Sequence, residues 1–297
     1  MIPLLCVKHI NLVRTVAGDA EIVYAGGMKF ENILLFVKPD SEAEKTAQKV
    51  TAFLTEQGLR IHHINGAVPK VEKALALVLG GDGSMLTAAA ALYGKDVPVA
   101  GINLGHLGFL TELERDGDLH RHLLALLNPK ATTEQRPYYT CTLVDEEKRQ
   151  KQWHFVNDLT LLRQPDEKML NMSLKIRDRH ITTSRADGMI ISTPTGSTAY
   201  NLSAGGPLLH PDIDAMVITP ICPHTLTLRP VVVPPCCIEI NLESPDPAQL
   251  SLDGRTSYPF NKGQTLLVEK SKEHVTLRYA EKYSFFNVLQ QKMNWDS

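Results

Sequence analysis

A glycine-rich loop follows directly on an apolar run in the first half of the chain. The run Ala74–Leu79 leads into Gly80-Gly81-Asp82-Gly83, here called the glycine loop, and a helical pattern begins at Ser84. A strand, a glycine loop and a helix in this order present free backbone N–H groups and the positive end of a helix to a phosphate. A carboxylate there would repel the ligand unless it serves a metal ion or accepts a proton, and either task suits phosphoryl transfer. A plain strand-to-helix turn in which Asp82 caps the helix explains the same residues.

The spacing within the glycine loop excludes two common nucleotide-binding patterns. No Gly-Lys-Ser/Thr follows, so the loop is not a Walker A motif, and it is not GxGxxG, which disfavours a Rossmann dehydrogenase. Taken alone, the loop resembles those of diacylglycerol kinases, sphingosine kinases and phosphofructokinases. The loop by itself therefore predicts a phosphotransferase without naming the acceptor.

Bulk composition excludes several other classes of protein. The formal net charge of the 297 residues is −2, which argues against broad nucleic-acid binding. The five cysteines form no CxxC pair, which favours reduced thiols over disulfides or zinc and predicts no protein-built metal cluster. No apolar run approaches the roughly 20 residues of a membrane span. Residues 1–30 carry Lys8, Arg14, Asp19 and Glu21 and do not read as a signal peptide, so we expect a cytoplasmic protein.

The glycine loop lies in a region where strand and helix patterns alternate. The run 33–37 is continuously apolar, as in a strand buried on both faces. Ser41 and Glu44 form a capping-box pattern before a helix that ends near Gly58. Further along we predict strands near Ile61 and over 97–102, and helices over 84–92 and 118–127. This alternation predicts an α/β domain with a parallel sheet over residues 31–130, after an extension, 1–30, to which we assign no function.

Strand patterns take over after residue 130. We predict strands over 139–144, 153–162, 173–176, 189–192, 216–219, 238–242, 265–269 and 275–278. Residues 131–280 are therefore expected to form a mostly antiparallel, sandwich-like β domain. The tail 281–297 is predicted to be a helix that presents Phe286, Leu289 and Met293 on one face and packs back onto the α/β domain.

An ordered set of motifs extends the pattern beyond the glycine loop. From about residue 32 to residue 295 the chain resembles the bacterial NAD kinase family. The motifs are GGDG at 80–83, NLGHLGFLT at 103–111, NDLT at 157–160, RADGMIISTPTGSTAYNLSAGGP at 185–207, PHTL at 223–226, RP at 229–230, LDG at 252–254 and YSFFN at 283–287. A single GGDG is weakly specific, whereas the whole set in this order is strongly specific.

The resemblance implies a reaction and its participants. NAD kinases transfer the γ-phosphoryl of ATP, or for some members of polyphosphate, to the 2′-hydroxyl of the adenosine ribose of NAD. The resemblance also implies a divalent cation, usually Mg²⁺, held mainly by the nucleotide phosphates. Family members are homodimers or homotetramers in which a neighbour's β domain helps to complete the site. The resemblance further implies that the β domain, 131–280, binds the dinucleotide, which would lie between this domain and the α/β domain.

The resemblance assigns candidate tasks to individual residues. Asp82 is implied to be the proton acceptor, and Asn157 and Asp158 would bind ribose hydroxyls, for which an amide and a carboxylate are suitable partners. Asp187 is implied to contact the nicotinamide end. The remaining implied NAD contacts are Gly83, Phe109, Lys168, Arg185, Thr195, Thr198, Ala199, Tyr200, Asn201, Leu202, Ser203 and Arg255. Implied phosphate contacts are Gly80, Gly81, Gly83 and Asp253.

Several of these residues have an ordinary structural explanation as well. Lys168 and Arg185 could be solvated surface charges, and Phe109 and Tyr200 could be core aromatics. Arg255 stands where many bacterial members carry Gln or another polar residue. Two other functions are weighed: a lipid kinase, which predicts an apolar or basic membrane-facing segment that we do not find, and a non-catalytic NAD(P)-binding regulator, which predicts loss of Asp82 or Asn157.

Overall fold

A computed structural model describes residues 30–103, 105, 107–113 and 119–295 of the chain. Most of the extension 1–30, and also His106 and Asp118, lie outside the described residues. The first part of the fold alternates strands and helices. Its elements are β1 (Asn32–Val37), α1 (Ser41–Glu56), β2 (Arg60–His63), β3 (Ala74–Leu79), α2 (Asp82–Ala91), β4 (Val99–Asn103), β5 (Glu112–Leu113) and α3 (Leu119–Leu127).

The second part is dominated by strands. They are β6 (Thr132–Val144), β7 (Gln150–Phe155), β8 (Asp158–Arg163), β9 (Leu170–Ile176), β10 (Arg179–Ala186) and β11 (Gly188–Ser192). A 3₁₀ turn (Thr195–Thr198) and the short helix α4 (Tyr200–Ser203) follow. The chain then forms β12 (Met216–Ile221), β13 (Val231–Val233), β14 (Ile238–Leu242), β15 (Ala248–Leu252), β16 (Thr256–Phe260), β17 (Thr265–Tyr279) and α5 (Phe285–Met293).

Two sheets organise these strands. The larger runs in the order β10-β9-β14-β17-β4-β3-β1-β2, with β6 paired to β17 and β7, and the smaller runs β13-β12-β11-β8-β15-β16. Strands β1 to β4 pair in parallel, whereas pairs in the smaller sheet are antiparallel. One core joins the two sheets, with Leu161 and Leu250 from the smaller and Met172 and Ile240 from the larger. The predicted fold class, a parallel α/β part followed by a β-sandwich-like part with a returning C-terminal helix, is confirmed.

The long strand β17 connects the two parts. Its first residues pair antiparallel with β14, and Leu277 near its end pairs in parallel with Val99 of β4. The larger sheet is therefore continuous across the predicted division after residue 130, and that division stays a prediction. Among the described residues, no helix is long and apolar enough to cross a membrane.

Local predictions for several strands were wrong. The stretch 153–162 is two strands, β7 and β8, because the chain bends at Val156 and Asn157. The stretches 265–269 and 275–278 belong to one strand, whose register against β6 shifts between Lys270 and His274. The charged residues there break the apolar alternation without ending the strand. Strands β10, β13, β15 and β16 were not predicted.

Two predictions about helices need a similar correction. On α5 the buried residues are Phe285, Val288 and Leu289, while Phe286 is 61% exposed. Residues 285, 288 and 289 have a spacing that places them on one helix face, and so do the predicted residues 286, 289 and 293. The sequence does not distinguish these two faces, and contacts with the rest of the fold determine which one is buried. At α1 the N-cap is Asp40 rather than Ser41, because the Asp40 carboxylate accepts hydrogen bonds from the backbone N–H groups of Glu42 and Ala43.

The cap of α1 can be tested with a matched pair of substitutions. We expect Asp40→Ala to lower the Tm by roughly 2 °C, because two N–H groups of the first turn lose their acceptor. Ser41→Ala should leave the Tm within about 1 °C of wild type, since alanine is a good helix former. Thermal unfolding followed by circular dichroism measures both, and equal losses in the two variants would contradict the assignment of the cap.

Candidate active site

The Asp82 carboxylate is held in one orientation by the segment that follows β4. One oxygen, Oδ2, accepts the backbone N–H of Phe109 at 2.8 Å, and Oδ1 accepts the backbone N–H of Leu110 at 3.0 Å. The Thr111 hydroxyl donates to Oδ1 at 3.3 Å. Asp82 is the first residue of α2, and its side chain is half-buried. These bonds fix the orientation of the carboxylate, which lines a cleft.

Two glycines near Asp82 differ in what a side chain would meet. A Cβ on Gly108 would lie 2.0 Å from Asp82 Oδ1, so only glycine permits this close approach. A Cβ on Gly83 would meet no protein atom within 4 Å. The protein packing therefore requires Gly108, whereas the space beside Gly83 is open to a ligand.

A second buried carboxylate organises the β part of the site. Asp253 accepts the backbone N–H groups of Val156 at 3.1 Å, Asn157 at 2.7 Å and Asp158 at 3.2 Å. Arg255 donates to its Oδ2 at 3.1 Å. Asp253 thus anchors the bend between β7 and β8, and its carboxylate is occupied by protein donors. This geometry supports a positioning task in place of the phosphate contact predicted for Asp253, because a buried carboxylate repels a phosphate.

The bend anchored by Asp253 places Asn157 in the cleft with an unused polar atom. Asn157 Oδ1 is buried and has no hydrogen-bond partner among the described residues. The backbone C=O of Asn157 accepts the N–H of Thr193 at 2.9 Å, and a Cβ on Gly196 would lie 2.0 Å from that oxygen. The 3₁₀ turn therefore packs directly against Asn157. A buried unpaired polar atom is costly unless a ligand satisfies it, so Asn157 is a strong candidate ligand contact.

The neighbouring Asp158 has unusual protonation behaviour. It is 5% exposed, and the Thr160 hydroxyl donates to it at 3.4 Å. Burial, reinforced by the charge of Asp253, raises the pKa of Asp158 from 3.8 to about 7. Burial also raises the pKa of Asp253. With a pKa of about 7, Asp158 carries less than a full negative charge near neutral pH.

These residues meet in a cleft of about 500 Å³. Of the predicted site residues, the cleft brings together Asp82, Gly83, Phe109, Asn157, Asp158, Asp253, Thr195, Thr198, Ala199 and Tyr200. Tyr200 is 41% exposed at its edge, with a ring available for stacking. A second cavity of about 480 Å³, the loop cavity, lies on the other side of the glycine loop and is lined by Gly80, Gly81, Gly83, Ser84 and Lys38. Gly83 lines both spaces, which suits two ligands that meet at the loop.

Comparison with known proteins decides the family. A family model described as the ATP-NAD kinase N-terminal domain matches residues 64–131, and the ATP-NAD kinase C-terminal domain matches residues 156–278. A curated NAD kinase from Shewanella loihica is 36% identical over 286 residues, which cover 90% of this chain and 98% of the relative. One from Azoarcus sp. is 39% identical over 75% of this chain and 76% of the relative.

The chain belongs to the NAD kinase family.

Solved structures of NAD kinases share its fold. The yeast NADH kinase complexed with NADH superposes with a TM-score of 0.78 at 23% identity, over 91% of this chain and 89% of that one. An NAD kinase from Archaeoglobus fulgidus in complex with ATP gives 0.73 at 24% identity, over 89% of this chain and 98% of that one. The predicted family, fold class and enzyme class are thus confirmed.

Some residues implied by the NAD kinase resemblance lie outside the cleft of their own chain. Lys168 and Arg185 are exposed, and the Asp187 carboxylate pairs with Arg163 Nε at 2.7 Å. Asn201 is buried with its amide used internally: Nδ2 donates to Ser197 and Pro207 carbonyls, and Oδ1 accepts from Thr219. This geometry supports a bracing task for Asn201. Leu202, Ser203 and Arg255 also do not line the cleft.

Other residues of the cleft were not predicted from the sequence. They are Leu86, Leu110, Thr160, Leu162, Ser251, Gly254 and Lys292. Thr160 follows Asp158 by two residues on β8, so the two side chains share a face of the strand and the NDLT motif carried a signal for it. Lys292 carried none, because it belongs to a helix far along the chain that tertiary packing brings to the cleft. Within the described part of the chain, no group of three or more His, Cys, Asp or Glu side chains is arranged to hold a metal ion.

The raised pKa of Asp158 predicts how stability depends on pH. Between about pH 4 and pH 7 the folded protein holds a proton that the unfolded chain has released, so the free energy of unfolding falls as pH rises through this window. We expect Asp158→Asn, which stays neutral, to reduce the loss between pH 5 and pH 8 by on the order of 2 kcal/mol. Urea unfolding of ligand-free protein measures this. The exposed Asp166→Asn serves as the control, and an unchanged slope in Asp158→Asn would contradict the prediction.

Proposed function

We propose that this chain, as an NAD kinase, converts NAD to NADP in the cleft, with Asp82 as the group that accepts the proton of the adenosine ribose 2′-hydroxyl. The observation that supports this is the fixed direction of the Asp82 carboxylate, which two backbone N–H groups hold at the cleft mouth. Oδ1 accepts two donors, Leu110 and Thr111, whereas Oδ2 accepts the N–H of Phe109 and keeps a lone pair that can accept a substrate hydroxyl.

The cleft and the loop cavity, which share Gly83 in their lining, would hold the acceptor and the donor of the reaction. The 2′-oxygen attacks the γ-phosphorus of ATP while its proton passes to Asp82. The bond between the γ-phosphorus and the bridging oxygen breaks, and its electron pair leaves with ADP. Donor phosphates would lie in the loop cavity beside Gly81 and the first turn of α2, where a helix end favours anions. The N–H of Gly80 is already used, because it donates to the backbone C=O of Ile102 at 3.0 Å.

The proposed reaction would use a divalent cation bound to the phosphates of ATP. Because the described residues offer no cluster of carboxylates or imidazoles, they fit an ion carried mainly by the nucleotide phosphates. Such an ion neutralises charge on the phosphates during transfer. Residues of the chain orient the acceptor and exclude water, which is how positioning contributes to the rate.

The dinucleotide is held by groups from the β part. Asn157 Oδ1 would accept a ribose hydroxyl, since it lacks a partner in the protein. The Tyr200 ring is placed to stack on the adenine, and Thr195 and Thr198 add small polar side chains that let a flat ring approach. Because burial raises the pKa of Asp158 to about 7, this carboxyl group carries less than a full negative charge near neutral pH and would repel a dinucleotide pyrophosphate less strongly.

We also propose that the working form is a homodimer or homotetramer. Lys168, Arg185 and Asp187 do not line the cleft of their own chain, and Arg185 lies exposed on β10, an edge strand of the larger sheet. Side chains exposed at a sheet edge can reach a second copy. In this arrangement they would complete the neighbour's site at the nicotinamide end.

The reaction and the task of Asp82 can be tested together. Purified protein with NAD, ATP and Mg²⁺ is expected to form NADP, measured by an NADP-specific enzymatic readout. Asp82→Asn should lower kcat by about 100-fold or more, because a general base typically contributes 10²–10⁴-fold. Its Kd for NAD should stay within about fivefold of wild type, since the amide leaves the cleft wall in place. The surface variant Asp178→Asn is the control.

Either part of the proposal can fail on its own. A folded wild-type protein that forms no NADP with ATP or polyphosphate would overturn the function. A kcat within a few-fold of wild type in Asp82→Asn would overturn the proton-acceptor assignment only.

Substitutions of Asn157 and Asn201 distinguish a side chain that binds the ligand from one that stabilises the fold. We expect Asn157→Ala to weaken the Kd for NAD by about tenfold while leaving the free energy of unfolding unchanged or higher, because its Oδ1 has no protein partner. Asn201→Ala should instead destabilise the fold by about 1–3 kcal/mol, because it breaks a satisfied buried network. Calorimetric titration and urea unfolding measure the two effects, and an unchanged Kd in Asn157→Ala would contradict its assignment.

A further inference from the structure

The cleft is lined mainly by acidic side chains, whereas its proposed ligand is an anion, so binding requires a cation in the cleft. Three carboxyl groups line it, those of Asp82, Asp158 and Asp253. A dinucleotide brings a pyrophosphate with negative charge into the same space. Among the described residues that line the cleft, the single basic side chain is that of Lys292. Lys168, Arg185 and Arg255, the cations implied by sequence resemblance, do not line it. Arg255 is paired with Asp253 at 3.1 Å, which leaves Asp82 and Asp158 without a cation of their own in the cleft lining.

The helix α5 fixes where the Lys292 ammonium lies. The Ser284 hydroxyl caps α5 by accepting the N–H of Asn287, and buried Phe285, Val288 and Leu289 seat the helix on the rest of the fold. The Tyr283 hydroxyl donates to the backbone C=O of Phe109 at 3.1 Å. The segment that leads into α5 is thus tied to the same residue whose N–H orients Asp82.

Lys292 therefore arrives at the Asp82 end of the cleft. Its Nζ lies 5.2 Å from the centroid of the Phe109 ring, and the N–H of Phe109 is 2.8 Å from Asp82 Oδ2. No carboxylate of the described residues forms an ion pair with Lys292. A cation–π contact at an exposed site is weaker than a charge-assisted hydrogen bond to a phosphate, so a phosphate oxygen can draw the ammonium off the ring.

We propose that Lys292 is a substrate-binding residue that contacts the pyrophosphate of the dinucleotide in the cleft. The dinucleotide is favoured over the donor because Lys292 shares the cleft with Asn157 and Tyr200 and does not line the loop cavity. This inference rests on the proposed function for the identity of the ligand. It assigns to the C-terminal helix a direct part in substrate binding in addition to its packing.

The test compares three lysine variants by calorimetric titration. Lys292→Met removes the charge and keeps the length of the side chain, Lys292→Arg keeps the charge, and Lys282→Met makes the same charge change at an exposed site outside the cleft. We expect Lys292→Met to weaken the Kd for NAD by about tenfold, as for a lost hydrogen bond to a charged group. Lys292→Arg and Lys282→Met should stay within about threefold of wild type.

A ligand without phosphate separates binding from structure. The Kd for adenosine should change less than twofold in Lys292→Met, because adenosine offers no anion to the ammonium. The dependence of the NAD Kd on NaCl concentration should also become shallower in this variant. Equal weakening for adenosine and NAD, or equal weakening in Lys282→Met, would overturn the proposal.

Two further outcomes show whether Lys292 contacts a phosphate of NAD or of ATP, and distinguish failure of this inference from failure of the proposed function. If Lys292→Met raises the KM for ATP and leaves the Kd for NAD unchanged, the ammonium serves the donor and the proposal is overturned. If wild-type protein forms no NADP, the proposed function fails, and the Kd ratio of NAD to adenosine in Lys292→Met still decides the binding task of Lys292.

Discussion

The contact between the Asp82 carboxylate and the backbone N–H groups of Phe109 and Leu110 joins the two segments on which the site depends. One segment is the glycine loop at the end of β3, and the other follows β4, the next strand in the parallel sheet. Carboxyl ends of adjacent parallel strands meet at one edge of the sheet, so the contact arises from the topology. It requires Gly108, because any Cβ there would overlap Asp82 Oδ1.

In the β part of the site, a carboxylate again fixes the local backbone by accepting N–H groups. Asp253 takes up three backbone N–H groups at the bend between β7 and β8, which leaves Asn157 and Asp158 directed into the cleft. Burying this carboxylate beside Asp158 costs solvation, and the raised pKa values of both groups are the sign of that cost. Because Asp158 carries less than a full negative charge near neutral pH, this buried pair repels an anion less than two ionised carboxylates would.

The continuity of the larger sheet sets the relation between the two sides of the cleft. Strand β17 pairs with strands of the β part along most of its length and meets β4 near its end. Phe109 then receives contacts from the returning C-terminal segment, through the Tyr283 hydroxyl and the Phe285 ring. The Asp82 carboxylate, the Phe109 side chain that lines the cleft and the last helix are therefore connected through the residues of one segment.

Short-range patterns in the sequence were enough for the elements around the glycine loop and for the family. The continuous apolar run of β3 and the buried positions Ala43, Ala47, Val50 and Leu54 of α1 follow directly from periodicity. Motif order carried the NAD kinase resemblance, and with it Asp82, Asn157 and the turn at Thr195–Thr198. Tertiary structure decided which polar side chains are free and which are occupied: Asn157 keeps an unused oxygen, whereas Asn201 and Asp253 are bonded within the protein. It also decided which face of α5 is buried and that Lys292 reaches the cleft, because these depend on contacts between residues far apart in the chain, which no local pattern encodes.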